Sequence, residues 1–166
     1  MPEKETIERA QEDAREGKSP STQAGEFVRE EIHHVREGKH GARSTKQAIA
    51  IGLSKARRAG VKLKPPKKGT TSRRTRKSAE SAYRKGQSGR KKKPSARRSR
   101  AMRRRLEREP RNTVSSRALS RQARSAARRR SAGSRSAAAK KAAQTKGRAG
   151  RSAAAKKAAK TRARRK

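Results

Sequence analysis

The chain has 166 residues, of which 53 are Lys or Arg and 13 are Asp or Glu, giving a formal net charge of +40. Hydrophobic residues make up only 27% and aromatic residues 1%, which is too little for one core spanning the whole chain. The absence of cysteine and of any run of about 18 apolar residues excludes a disulfide framework and a membrane-spanning helix. Because the first residues are polar and acidic, we expect no secretory signal and a cytoplasmic protein.

The charge is unevenly distributed along the sequence. Residues 1–37 contain ten acidic and six basic side chains, whereas residues 38–166 contain three acidic and 47 basic ones. A near-neutral head is therefore attached to a very basic body. This asymmetry is typical of proteins that bind nucleic acids.

Three amphipathic helices are predicted in residues 3–63, at about 3–16, 21–36 and 45–59, because apolar residues recur there at helical spacing. A glycine follows each helix, and Ser44 with Gln47 has the pattern of a capping box for the third. Phe27 is expected in the core. Gly52, inside the third helix, costs about 1 kcal/mol relative to alanine. It either allows another backbone to approach closely or is merely tolerated.

Pro65 and Pro66 end this helical module, since proline stops a helix. We predict a basic linker at 65–95, with a possible short helix at about 75–85 and a flexible connector at 86–94. A possible basic helical pair follows within 96–130, at about 97–109 and 116–130. There Ser115 would cap the second helix and Val114 would pack on Leu119. These boundaries divide the chain into 1–64, 65–95, 96–130 and 131–166.

The tail at 131–166 contains a repeat: RSAAAKKAAQTK, beginning at Arg135, returns as RSAAAKKAAKTR, beginning at Arg151. Alanine and lysine favour helices, but each repeat has only 12 residues, and isolated helices that short are marginal in water. We therefore expect a tail that is disordered when free and partly helical on phosphates, with two separate binding blocks. The predicted fold class is mainly α, a small N-terminal module of about three helices followed by a largely disordered Lys/Arg/Ala-rich body with weak helices.

The predicted function is non-catalytic, largely sequence-independent binding of double-stranded DNA through phosphate contacts. Stacking aromatic residues are scarce, so duplex DNA ranks above single strands, while structured RNA or a ribosome remains an alternative partner. A third alternative is a protein whose N-terminal helices dock a partner. The candidate nucleic-acid contacts are Lys46, Lys55, Arg57, Arg58, Lys67, Lys68, Lys91, Lys92, Lys93, Arg103, Arg104, Arg105, Arg128, Arg129, Arg130, Lys140, Lys141, Arg151, Lys156, Lys157, Arg164 and Arg165.

No catalytic group, cofactor or small-molecule substrate is predicted, because no nucleophile–base pairing or phosphate-binding loop is recognisable. His33, His34 and His40 raise the question of a metal. Adjacent histidines point to different faces of a helix, and no acid is clearly placed to complete a ligand set. We therefore predict no metal site.

Two resemblances add to this interpretation. Residues 26–64 resemble a bacterial family of small basic proteins with a domain of unknown function. The hallmark segment of that family, SxKQAIAIxLSxARxAG, is matched at 44–60. The tail from Ser131 resembles the Ala/Lys-rich termini of bacterial histone-H1-like proteins, which bind and compact DNA. These resemblances imply a bacterial origin and a location in the nucleoid.

Overall fold

The structure is a computed structural model and describes residues 2–89 and 95–164. These ranges form seven α-helices and a short 3-10 helix and contain no strand, and about 75% of the described residues are helical. The helices are α1 (Lys4–Arg15), α2 (Pro20–Arg36), α3 (Thr45–Arg58), α4 (Arg73–Gln87), α5 (Ala96–Glu107), α6 (Ser116–Arg128) and α7 (Ala132–Ala163), and the 3-10 helix is Asn112–Val114. The mainly α prediction is confirmed. The chain divides into two compact units, Met1–Gln122 and Ala123–Lys166.

The three predicted N-terminal helices are present and share a core. Phe27 is 1% exposed, as predicted, and packs with Ala10, Ala24, Ala56 and Val61. At the crossing of α2 and α3, a Cβ on Gly52 would lie 2.7 Å from the Cα of Val28. Gly52 therefore allows close approach of another backbone, the first of the two alternatives.

The ends of these helices follow the predicted signals. Gly17, Gly38 and Gly60 all have positive φ angles just after α1, α2 and α3, the conformation that ends a helix at low cost for glycine. The Ser44 hydroxyl accepts a hydrogen bond from the Gln47 amide at 3.3 Å. The Gln47 side chain accepts in return from the amide of Arg43 rather than that of Ser44. The capping bonds thus form with a shift of one residue.

Helix α4 and the segment after α5 extend the N-terminal unit well beyond residue 64. Ala79 and Ala82 of α4 are buried, and a Cβ on Gly86 would overlap the Arg57 carbonyl oxygen at the end of α3. Because the two helices touch through alanine and glycine, their backbones lie close together. The predicted boundary at 64 therefore falls inside a unit that reaches Gln122.

A second small core joins residues distant in the sequence. Val35, Ala42, Ala48 and Val114 are all fully buried together. Backbone hydrogen bonds from Gly41 to the Leu106 carbonyl, at 2.8 Å, and from Ala42 to that of Pro110, at 2.9 Å, fix the segment in place. Val114 was predicted to pack on Leu119, but it lies in this core. Ser115 does cap α6, since its hydroxyl accepts from the Ala118 amide.

The prediction of a largely disordered body is wrong. Helices α4 to α7 occupy most of the described body, and the tail forms α7 rather than a disordered segment. The physical reason is local: alanine, lysine and arginine are strong helix formers, and Ser72 and Ser131 cap α4 and α7. Gly147, with φ 62° and ψ 177°, breaks α7 once, so each repeat lies in a separate helical segment. Part of the predicted connector, residues 90–94, lies outside the described residues.

Candidate nucleic-acid interface

The most basic surface of the protein lies on helices that contribute nothing to a core. No residue of α5, α6 or α7 is buried. Residues 132–163 contain ten basic side chains and no acidic one, and α5 contains six arginines against one glutamate. Side chains with no neighbour to bury them remain available to a polyanion.

Most of the predicted contact residues are exposed. Lys46 and Arg58 lie on α3, Lys67 and Lys68 precede α4, the arginines at 103–105 lie on α5, and those at 128–130 end α6 and follow it. These exposed residues are Lys46, Arg58, Lys67, Lys68, Arg103, Arg104, Arg105, Arg128, Arg129, Arg130, Lys140, Lys141, Arg151, Lys156, Lys157 and Arg164. Lys91, Lys92, Lys93 and Arg165 lie outside the described residues.

Arg151, one of the predicted contact residues, makes a hydrogen bond across the break in α7. Beyond Gly147, the Arg151 guanidinium donates a hydrogen bond to the Ala143 carbonyl at 2.7 Å. Ala143 lies in the last turn before the break, where carbonyl groups have no partner within the helix. A cation at the C-terminal end of a helix is also favoured by its dipole. Arg151 therefore caps the first segment of α7.

Two predicted contacts have internal roles instead. The Lys55 ammonium lies 3.0 Å from Glu30 Oε1 and 2.7 Å from Glu31 Oε2, and its side chain is 19% exposed. The Arg57 residue is 8% exposed, and its Nε donates to the Leu63 carbonyl at 3.2 Å. Since both cations already have partners inside the fold, we leave them out of the candidate interface.

Lys55 belongs to a polar network, defined as Glu3, Glu30, Glu31, His34, Lys39, His40 and Lys55. Burial alone raises the pKa of Glu30, but the hydrogen bond and charge of Lys55 outweigh it and hold that pKa below its usual value. Burial alone likewise lowers the pKa of Lys55, and the carboxylates of Glu31 and Glu30 raise it above its usual value. Ion pairing thus favours the charged forms of Glu30 and Lys55 despite their burial.

This network is not predicted from the sequence. The signal available was local: Glu30 and Glu31 precede His34 by four and three residues on α2, so all can meet on neighbouring helix positions. Their partners come from other parts of the chain: Lys55 lies on α3, and His40 lies in the loop between α2 and α3. Only the packing of α2 against α3 brings them together.

Comparison with known proteins covers part of this unit. Residues 15–68 match the model of a family of unknown function (DUF6496). The match covers about a third of the chain, from the end of α1 to the loop after α3, and confirms the predicted domain of unknown function. No curated protein and no solved structure matches the chain. Among the described helices, none combines the length and apolar character that crossing a bilayer requires.

Proposed function

We propose that the protein binds double-stranded DNA through phosphate contacts, without catalysis and largely without reading the base sequence. The observation that carries this proposal is α7, an exposed helix with ten basic and no acidic side chains in 32 residues. A bacterial nucleoid is the setting in which we place such an activity, as in histone-H1-like proteins. The match to a family of unknown function neither adds to this proposal nor opposes it.

The dimensions of α7 suit a duplex. The segments before and after Gly147 span about 15 and 16 residues, so each is about 23 Å long at 1.5 Å per residue. Duplex DNA has one phosphate charge per about 1.7 Å, so about 13 charges lie along that length. The segments contain four and six basic side chains. A duplex of the same length as either segment therefore offers more phosphates than that segment has basic side chains, so every one of these side chains can find a phosphate.

Duplex DNA is favoured over single strands because the chain offers no stacking platform. Its only two aromatic residues, apart from histidine, are Phe27 and Tyr83. Phe27 is buried in the first core, and Tyr83 is half-buried on α4. Proteins that bind single strands stack successive bases on exposed aromatic rings. Binding to phosphates is the mode that the exposed residues support.

A salt titration of DNA affinity tests the proposal. Eight to ten phosphate contacts give a slope of log affinity against log salt of about −7 to −9. The variant with Lys140, Lys141, Lys156 and Lys157 all changed to Gln should lose about 3 to 4 from that slope, since each contact contributes about 0.9. The matched control changes the same four residues to Arg, which keeps the charge and the helix propensity, and should preserve the slope.

The same experiment can contradict the proposal in two ways. If the Gln variant keeps the slope of the unmodified chain, α7 is not the binding surface. If structured RNA displaces duplex DNA at equal phosphate concentration, the partner is RNA, because A-form helices are also recognised through phosphates and shape.

A further inference from the structure

Within the polar network, Glu31, His34 and His40 each offer one ligand atom, and these three atoms lie within 4.8 Å of one another. We propose that these side chains bind a divalent transition-metal ion, most suitably Zn²⁺, with water completing the coordination. Two imidazoles and one carboxylate are a ligand set that zinc accepts with an open fourth position. This inference concerns the N-terminal unit and is independent of DNA binding.

Glu31 is the buried centre of the site. Its residue is 0% exposed, and although Lys55 lies 2.7 Å from Oε2, Oε1 has no hydrogen-bond donor. A buried carboxylate oxygen without a donor is costly, because it has lost water and gained no replacement. A metal ion bound at Oε1 removes that cost.

His40 is oriented so that its free nitrogen faces this oxygen. Nδ1 lies 3.0 Å from the Gly41 carbonyl, which can only accept, so Nδ1 carries the hydrogen. Nε2 then lies 3.4 Å from Glu31 Oε1. That distance is long for a charge-assisted hydrogen bond, about 2.7–2.9 Å. It equals the edge of a tetrahedron around zinc, about 3.4 Å for bonds of about 2.1 Å.

His34, like His40, has one ring nitrogen hydrogen-bonded to an oxygen acceptor. Its Nε2 lies 2.9 Å from Glu3 Oε1, which also accepts a hydrogen bond from Lys39 Nζ at 3.2 Å. This oxygen therefore acts as the acceptor, and Nε2 carries the hydrogen. The lone pair of Nδ1 is then free for a cation, and this nitrogen lies 3.8 Å from Glu30 Oε1. Metal-binding histidines characteristically donate their second nitrogen to a carboxylate or carbonyl, as both rings do here.

The charge of the network also favours a cation. Three carboxylates, from Glu3, Glu30 and Glu31, face two ammonium groups, from Lys39 and Lys55. The network thus contains one more carboxylate than ammonium groups, although the whole chain carries a formal net charge of +40. A divalent ion therefore enters a locally negative site within a strongly positive protein.

Cobalt titration of the full chain, freed of nucleic acid, tests the proposal, since tetrahedral Co²⁺ has a strong visible spectrum and Zn²⁺ should displace it. We expect one ion per chain and a melting temperature that rises with metal concentration. His40→Ala should abolish the spectrum, and Glu3→Gln should weaken metal affinity about 10-fold or more, as losses of such supporting groups do. The control is His33→Ala, an exposed histidine adjacent to His34, which should leave the spectrum unchanged.

The proposal fails if the unmodified chain gives no tetrahedral Co²⁺ spectrum, a result that does not depend on the folding of any variant. It also fails if His33→Ala lowers affinity as much as His40→Ala does. Circular dichroism of His40→Ala without metal should match that of the unmodified chain at low temperature, which ties the loss of the spectrum to the ligand.

Discussion

Gly52 and Gly25 are both glycines inside helices, but their surroundings differ completely. A Cβ on Gly52 would lie 2.7 Å from Val28 Cα and 2.9 Å from the Phe27 carbonyl oxygen, whereas nothing lies within 4 Å of one on Gly25. Gly52→Ala should destabilise the N-terminal unit by about 1–3 kcal/mol, because the overlap with backbone outweighs the gain in helix propensity. Gly25→Ala, the control, should stabilise it by about 0.5–1 kcal/mol. Urea unfolding followed by circular dichroism measures both, and equal effects would refute the close packing of α2 on α3.

Lys55 is the cation on which two buried carboxylates depend. Lys55→Met keeps an unbranched side chain of nearly the same length but leaves Glu30 and Glu31 without their ammonium partner. Breaking one side of a buried pair costs about 3–5 kcal/mol, and we expect a loss near the lower figure because Lys55 is partly exposed. Lys46→Met on the same helix, at an exposed position, should change stability by less than about 0.5 kcal/mol. Comparable losses from both substitutions would show that the pairing contributes little.

The same pairing gives a pH dependence whose sign is fixed by the pKa shifts. The pKa of Glu30 is lowered below its usual 4.5, so its contribution is present above that pH and is lost as pH falls through the folded-state pKa. The pKa of Lys55 is raised above 10.5, so its contribution is lost only as pH rises through that higher value. Melting temperature measured from pH 7 to pH 3 should fall less steeply for Glu30→Gln than for the unmodified chain. Identical slopes would remove Glu30 from the acid response.

Among the helices, the features that can be predicted from the sequence are those that depend on residues close together in the chain. Helices α1 to α3, their terminal glycines and the Ser44 cap follow from spacing and local hydrogen bonding. Packing of α4 on α3 was missed because its contacts are alanines and Gly86, which carry no large apolar signal. The polar network was missed for a related reason: Lys55 and Glu31 are 24 residues apart and meet only after α2 and α3 pack.

The error about disorder also has a physical origin. Low hydrophobicity and high charge argue against a core, and α5 and α7 do lack buried residues. A helix needs no core when its residues have high propensity and its first turn is capped, as Ser131 caps α7 through the Ser134 amide at 3.2 Å. The low hydrophobicity therefore correctly predicts that α5 and α7 have no buried core residues, but the prediction that these segments are disordered is wrong.

Gly147 sets the relation between the two lysine blocks of α7. Its φ of 62° and ψ of 177° belong to a region that is essentially restricted to glycine, so Gly147→Ala should restore a continuous helix. On such a helix an offset of 16 residues rotates the second block by about 160°, and the two blocks face opposite sides. For Gly147→Ala we therefore expect a smaller slope of log DNA affinity against log salt than for the unmodified chain, while the helix content measured by circular dichroism does not fall. Gly133→Ala, where nothing lies within 4 Å, should leave the slope unchanged. A larger slope for Gly147→Ala would show that the break hinders binding.

For the whole molecule, the balance of charge decides how salt acts on stability. Ion pairs between described residues cluster in the first 55 positions, with Arg76 and Glu80 as the pair beyond them. The arginines of α4 and α5 therefore repel one another with little compensation, although they belong to the same compact unit as α1 to α3. A charge far from neutral destabilises a compact state by self-repulsion.

Sodium chloride should consequently raise the melting temperature of the N-terminal unit between 0.01 and 0.5 M, roughly the range over which the screening length falls from about 30 to a few ångströms. The buried pairing of Lys55 with Glu30 and Glu31 opposes this trend only weakly, because buried charges are screened much less than exposed ones. Calorimetry of the unmodified chain and of Lys55→Met should therefore show parallel increases. A melting temperature that falls with salt in the unmodified chain, but not in Lys55→Met, would mean that the network, rather than repulsion among the arginines, dominates the electrostatic free energy of unfolding.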